Sequence, residues 1–156
     1  MTEPRPFRTR RRVEFADTDM GGIMHFSRFF AFMESAEHEL LRSLDAVPFG
    51  RWEGETIGWP RVESTCRYER PARFGEELEI LVRVVRVGNT SVSYECAFYR
   101  DARRIAHGRT TAVFCRVEDD GLHPVPIPAA LAAGLQRWSG EGDRSPMGVG
   151  GGGKER

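Results

Sequence analysis

The chain has 156 residues and sets 23 basic side chains against 23 acidic ones, so its formal charge is zero. That length fits one domain whose core needs neither disulfides nor a structural metal. The balance excludes a uniformly basic nucleic-acid footprint, and no run approaches the roughly 18 apolar residues of a membrane-crossing helix.

The zero is a cancellation. Residues 1–12 carry five arginines and one acid, whereas residues 13–138 carry fifteen arginines and nineteen acids. A basic arm over 1–12 therefore leads into a mildly acidic body. The arm has no apolar stretch of the kind a secretory signal needs, so a cytoplasmic protein is expected. The cysteines, Cys66, Cys96 and Cys115, show no CxxC spacing and lie among strand-forming residues, which suits buried free thiols.

In chain order, Phe7 to Phe15 reads as a short strand with Val13 and Phe15 on one face. From Phe26 the apolar positions Phe26, Phe29, Phe30, Met33, Ala36, Leu40, Leu41 and Leu44 recur at three-and-four spacing. This predicts an amphipathic helix of about five turns with Arg28, Glu34, Glu37, His38, Glu39 and Arg42 on its polar face. Pro48 to Trp59, rich in Gly, Pro and Trp, reads as a loop.

Four strands are expected next: Arg61 to Glu69, Glu77 to Val87, Ser91 to Arg100 and Arg104 to Val117, with turns at Gly88-Asn89 and Asp101 to Arg103. Pro124, Pro126 and Pro128 close this meander, and Pro128 is placed to start a short helix through Trp138. Residues 139–156 hold seven glycines and almost no large apolar groups, the composition of a disordered tail. The fold class is α+β: one domain over residues 7–138, in which a five-stranded antiparallel sheet wraps one long helix. An exposed sheet edge is best satisfied by a second copy, which predicts a homodimer.

Special residues are densest in Glu14-Phe15-Ala16-Asp17-Thr18-Asp19-Met20-Gly21-Gly22-Ile23-Met24-His25-Phe26, between the first strand and the helix. Two carboxylates, two glycines and a helix N-terminus with free N–H groups supply what acyl transfer needs: an attacking or water-activating group and donors for the developing oxyanion. The same residues also suit a turn or a helix cap. Asp17, Asp19 and His25 could in principle hold a metal, although their spacing matches no strong motif.

The segment Asp17-Thr18-Asp19-Met20-Gly21-Gly22-Ile23-Met24-His25-Phe26 resembles the 4-hydroxybenzoyl-CoA thioesterase family of the hotdog-fold superfamily, whose pattern is approximately D-[TC]-D-x-x-G-[IV]-V, an aromatic pair and the central helix. Tyr68-Glu69-Arg70-Pro71-Ala72-Arg73-Phe74-Gly75-Glu76 is similar to the family's Y-x-x-P-[AL]-R-x-[GD]-D turn, and Pro126-Ile127-Pro128 to its closing P-x-P. The resemblance implies a hydrolase that converts an acyl- or aroyl-CoA thioester to the acid and free coenzyme A. No metal or cofactor, no nucleic acid and no membrane is implied, and the assembly would be a homodimer or homotetramer.

By the resemblance, Asp19 is the nucleophile or the base for water, and Asp17 organises the turn. The backbone N–H of Phe26 polarises the thioester carbonyl, while Gly21 and Gly22 admit the substrate. Relatives carry Tyr-His where this chain has His25-Phe26, so His25 has only a provisional catalytic role. Glu34 is the second candidate acid, because some hotdog thioesterases take theirs from the helix. At the family's Glu-x-Ala-Arg this chain reads Glu34-Ser35-Ala36-Glu37. Arg61, Arg67, Arg70 and Arg73 are the candidate contacts for coenzyme A phosphates.

Besides a DNA-binding role for the arginine arm over residues 1–12, two other function classes remain open. One is a non-catalytic module that binds acyl thioesters on the same fold. The other is a hotdog hydratase or dehydratase, against which stand the missing His-Phe-Pro-Gly motif and the six-residue spacing of Asp19 and His25.

Overall fold

In the computed structural model, which describes residues 3–140, the first strand β1 (Phe7–Arg12) ends sooner than its sequence suggests. The chain leaves the sheet at Val13, and Phe15–Asp17 form one turn of 3-10 helix with Phe15 80% exposed. A local bond explains this: the Asp17 carboxylate accepts from the Glu14 N–H at 2.8 Å, and that ring closes a turn rather than an extended strand. The helix α1 (Arg28–Ser43) follows, beginning two residues later than expected. Its C-terminus is a Schellman motif, in which Ala46 N–H reaches Leu41 O and Asp45 N–H reaches Arg42 O, with Asp45 at φ 56°.

The segment read as a loop holds a hairpin, β2 (Phe49–Trp52) and β3 (Glu55–Gly58). Glu53 and Gly54 both take positive φ, 47° and 86°, as a two-residue type I′ turn requires. Then come β4 (Arg61–Tyr68), β5 (Glu77–Val87), β6 (Ser91–Arg100) and β7 (Arg103–Val113). The expected strand over 104–117 breaks at Phe114, a buried ring tilted against Trp59 at 4.8 Å, and resumes as β8 (Cys115–Glu118). The hairpin strand β9 (Gly121–Pro124) and the helix α2 (Ala129–Gln136) complete the described chain. The expected tail lies outside the described residues beyond Gly140.

Two antiparallel sheets result, one of five strands in the order β1-β5-β6-β7-β4 and one of four in the order β2-β3-β8-β9. Only β5, β6 and β7 form a meander. The strand β4 pairs with β7 at the far edge and not with its sequence neighbour β5, whose free side is taken by β1. The large sheet wraps α1, which packs against β1, β4 and β5. Alternation on the inner face is as expected: Leu78, Ile80, Val82 and Val84 from β5 and Val92, Tyr94, Cys96 and Phe98 from β6 are buried.

Two departures from the expected burial matter. Phe32 replaces Phe26 in the buried stripe of α1, and Glu37, expected on the polar face, is 2% exposed. The partner of Glu37 is Arg61. A β-bulge between Arg61 and Glu63 inserts Val62, so Arg61, opposite Ala112, and Ser64, opposite Thr110, both point inward although they are three residues apart. All three cysteines are free, Cys96 and Cys115 buried and Cys66 half-buried; burial pushes the Cys66 thiol up to about 11. Among the described residues no helix is long and apolar enough to cross a membrane.

Candidate active site

The segment from Val13 to Arg28 closes on itself. Asp17, 2% exposed, accepts from Arg28 Nε at 2.7 Å through one oxygen and from the Glu14 N–H through the other, while its main-chain carbonyl accepts from His25 N–H at 2.8 Å. A carboxylate so engaged shapes the turn and has little capacity left for substrate.

Beyond it, Thr18 and Met24 form an isolated bridge, Asp19 N–H reaches Ile23 O at 2.8 Å, and Gly22 N–H reaches Asp19 O at 3.0 Å. Gly22 sits at φ 77°, a conformation that favours glycine. Asp19 is exposed at the tip. Its Oδ1 accepts from Gly21 N–H at 2.8 Å and, more weakly, from Ile23 N–H at 3.4 Å, while Oδ2 has no hydrogen-bond partner among the described residues. A β-carbon on Gly21 would lie 3.1 Å from Asp19 Oδ1, so that position is confined as well.

At the other end of the loop, the Phe26 N–H donates to no acceptor among the described residues. His25 Nδ1 lies 2.7 Å from Ser27 Oγ and accepts from Ser27 N–H at 3.3 Å, and its ring stacks on Phe26 at 4.6 Å. Because the main-chain donor requires a lone pair on Nδ1, the neutral ring carries its proton on Nε2. The loop is laced to the β4–β5 connection by Met24 N–H to Ala72 O at 2.7 Å and by the bridge between Ile23 and Arg73.

The surroundings are apolar and open. Phe15 and the 62% exposed Phe74 meet edge to face at 6.4 Å, with Met20, Phe26 and Tyr68 also exposed. Such a group of exposed large apolar side chains marks a ligand or protein contact.

The structure brings Asp19, Gly21, Gly22, His25 and Phe26 into one loop and places Arg73 beside it. Arg73 is exposed, and its side chain has no protein partner among the described residues. The other candidates go elsewhere. Arg61 is turned inward, 2.7 Å from Glu37 and 4.0 Å from Glu34, which groups Glu34 with that pair rather than with Asp19. Arg70 donates to Arg104 O at 2.8 Å, and Arg67 lies on the outer face opposite His107.

Asp17, Asp19 and His25 do not gather as a metal site. Among the described residues the one acid-histidine group close enough to hold an ion is Glu118, Asp120 and His123, on the β8–β9 hairpin. Sequence reasoning missed the Arg28 clamp on Asp17, although Arg28 stood on the polar face it described. It also gave Tyr68 no role beyond its motif.

Similarity to known proteins agrees with this geometry. The family model described as the thioesterase-like superfamily matches residues 13–135. The 1,4-dihydroxy-2-naphthoyl-CoA hydrolase of Synechococcus is 29% identical over 82% of this chain and 85% of its own length. The acyl-CoA thioester hydrolase YbgC of Escherichia coli is 27% identical over 81% of this chain and 93% of its own. The solved structure of a gentisyl-coenzyme A thioesterase superposes with a TM-score of 0.72 at 26% identity, covering 82% of this chain and 98% of that one. With its sheet wrapped round α1 in the hotdog arrangement, the chain belongs to the thioesterase-like superfamily, and thioester hydrolysis is the class of reaction that membership assigns.

Proposed function

We propose that the protein hydrolyses an acyl- or aroyl-CoA thioester, with the Asp19 carboxylate as nucleophile or as the base for water and the Phe26 N–H as the oxyanion donor. The observation that carries this reading is the presence, within one closed loop, of an exposed Asp19 with one carboxylate oxygen uncommitted and of an N–H just before α1 that meets no acceptor among the described residues. Attack at the thioester carbonyl gives a tetrahedral oxyanion held by Phe26 N–H. Its collapse breaks the C–S bond, the thiolate leaves and takes a proton, and water supplies the oxygen and hydrogen of the acid. In this reading the Nε2–H of His25 gives a hydrogen bond to the departing sulfur, and the proton that the thiolate takes is the one released by the attacking water. These steps use side-chain and main-chain groups alone.

The exposed rings of Phe15, Phe26 and Phe74 favour an aromatic acyl group, as do the names of the naphthoyl and gentisyl relatives. Arg73 is the candidate for the phosphates of coenzyme A. The assembly in this reading is a cytoplasmic homodimer or homotetramer built on β4. The opposite edge strand, β1, carries four arginines in six residues, of which Arg8 and Arg10 pair with Glu79 and Glu77 of β5, and a charged edge of this kind disfavours strand addition, whereas β4 exposes Val62 and Tyr68.

The test is thiol release from a panel of aroyl- and acyl-CoAs. Asp19→Asn should lower kcat on the best substrate by at least roughly a hundredfold; full activity in that variant would refute the mechanism. Binding of acyl-CoA without turnover in the wild type would point instead to a non-catalytic module.

A further inference from the structure

The Tyr68 hydroxyl, on β4, donates to the Phe26 carbonyl oxygen at 2.9 Å, a contact between residues 42 apart in sequence. Were α1 to begin one residue earlier, that carbonyl would accept from the N–H four residues on, which belongs to Phe30. Here the Phe30 N–H turns to Ser27 O at 3.2 Å, and Ser27 at the N-cap makes no side-chain cap. Tyr68 thus occupies the acceptor that the helix would otherwise use. Its ring is itself fixed, edge-on to the buried Phe29 at 5.2 Å, which stands edge-on to Phe98 at 5.3 Å.

Phe26 lies between two peptide planes. The plane that carries its N–H also carries the His25 carbonyl, which accepts from Arg28 N–H at 2.9 Å. In a trans peptide the N–H points opposite to that carbonyl, away from the helix. The second plane carries the Phe26 carbonyl, whose hydrogen-bond donor is Tyr68, and the Ser27 N–H, which makes only the long 3.3 Å contact to His25 Nδ1. We infer that Tyr68 is a positioning residue for the reaction: by holding the Phe26 carbonyl off the helical ladder, its hydroxyl keeps the Phe26 N–H aimed at the thioester oxygen. This rests on Phe26 N–H being the oxyanion donor.

Release of that carbonyl lets α1 wind back by one residue, rotates Phe26 and misaims the donor, and misplacement by about 1 Å costs up to roughly a hundredfold in rate. Tyr68→Phe removes the hydroxyl and nothing else. It should lower kcat roughly tenfold or more, with KM within about twofold and an unchanged circular dichroism spectrum.

A fluorinated tyrosine at position 68 gives the second readout, because it keeps ring and donor at neutral pH but ionises at lower pH than tyrosine. Its kcat should fall reversibly on the alkaline side as the donating proton is lost. The wild type should hold its rate over the same range, since burial pushes its Tyr68 up to about 12. A role confined to packing would produce neither the kcat-only loss nor the new alkaline limb. Unchanged kcat in Tyr68→Phe, or identical pH profiles for the two proteins, would overturn the inference. Asp19→Asn measured alongside separates the two failures: its loss of activity with Tyr68→Phe intact removes the role of Tyr68 and leaves the mechanism standing.

Discussion

Arg61 and Glu37 meet inside the fold, Nη2 of the guanidinium 2.7 Å from Oε2 of the carboxylate, although one opens the edge strand β4 and the other lies on the buried face of α1. The guanidinium also donates to Trp59 O at 2.7 Å, whereas Glu37 Oε1 and the buried Tyr94 hydroxyl have no hydrogen-bond partner among the described residues. Burial pushes the Glu37 carboxyl from 4.5 up to about 7, against the pull of Arg61 and with Glu34 adding to the rise.

Stability should therefore fall as pH rises through this window. Below about 4.5 both folded and unfolded chains hold the proton; between about 4.5 and 7 the unfolded chain releases it first; above about 7 the loss is complete, on the order of 3 kcal/mol. Urea midpoints across this range should show the fall in the wild type relative to Glu37→Gln, and parallel curves would show that Glu37 does not titrate there. Glu37→Ala, which strands the guanidinium, should cost about 3–5 kcal/mol.

Asp17 and Asp19 should separate cleanly by assay. The Asp17 carboxylate is buried against Arg28 and the Glu14 N–H, so Asp17→Ala should cost about 3 kcal/mol of stability. Asp19→Asn should leave the urea midpoint nearly unchanged while activity falls, because Asn can still accept from Gly21 N–H.

Gly108 on β7 lies against Met33 of α1 and the main chain of β4. A β-carbon there would lie 2.5 Å from Thr65 O and 2.8 Å from Met33 Sδ, and Met33 alone can move aside. Gly108→Ala should destabilise by about 1–3 kcal/mol in chemical denaturation.

The turn between β6 and β7 can be improved. Asp101 and Ala102 take φ 48° and 64°, and alanine gains nothing from that region. Ala102→Gly creates the Asp-Gly pair a type I′ turn favours and should raise stability by about 1 kcal/mol, read as an increase in Tm.

Arg73→Ala should raise KM for a coenzyme A thioester about fivefold, the equivalent of roughly 1 kcal/mol, and leave kcat near its wild-type value. A pantetheine thioester without the nucleotide phosphates should show no such difference; an equal rise for both substrates would place the effect elsewhere.

What could be read in the sequence follows the range of the forces involved. The inward residues of β5 and β6 are legible because strict alternation is local, and the Asp-Gly loop is legible because its turn chemistry is. The position of β4 is not: nothing in residues 61–68 says that their partner lies some forty positions on rather than in the next strand. The burial of Glu37 is hidden for a related reason, since its partner is turned inward by one extra residue at Val62 that alternation alone does not reveal. The hairpin of β2 and β3 lay under glycines that suggested a loop, although Glu53-Gly54 between short strand-like stretches was the available signal.

The two ends of the described chain are clasped together. Arg5 N–H reaches Arg137 O at 3.2 Å, its guanidinium lies over the Trp138 ring at 5.4 Å, and Phe7 meets the same ring edge-on at 5.3 Å. A short linker could therefore join residue 140 back to residue 3, and the chain could be reopened at the exposed tip of the β8–β9 hairpin, Asp119-Asp120. Such a circular permutant keeps the Asp19 loop, Tyr68 and Arg73 on uninterrupted backbone, and makes that hairpin a place to attach a label or a surface without disturbing them.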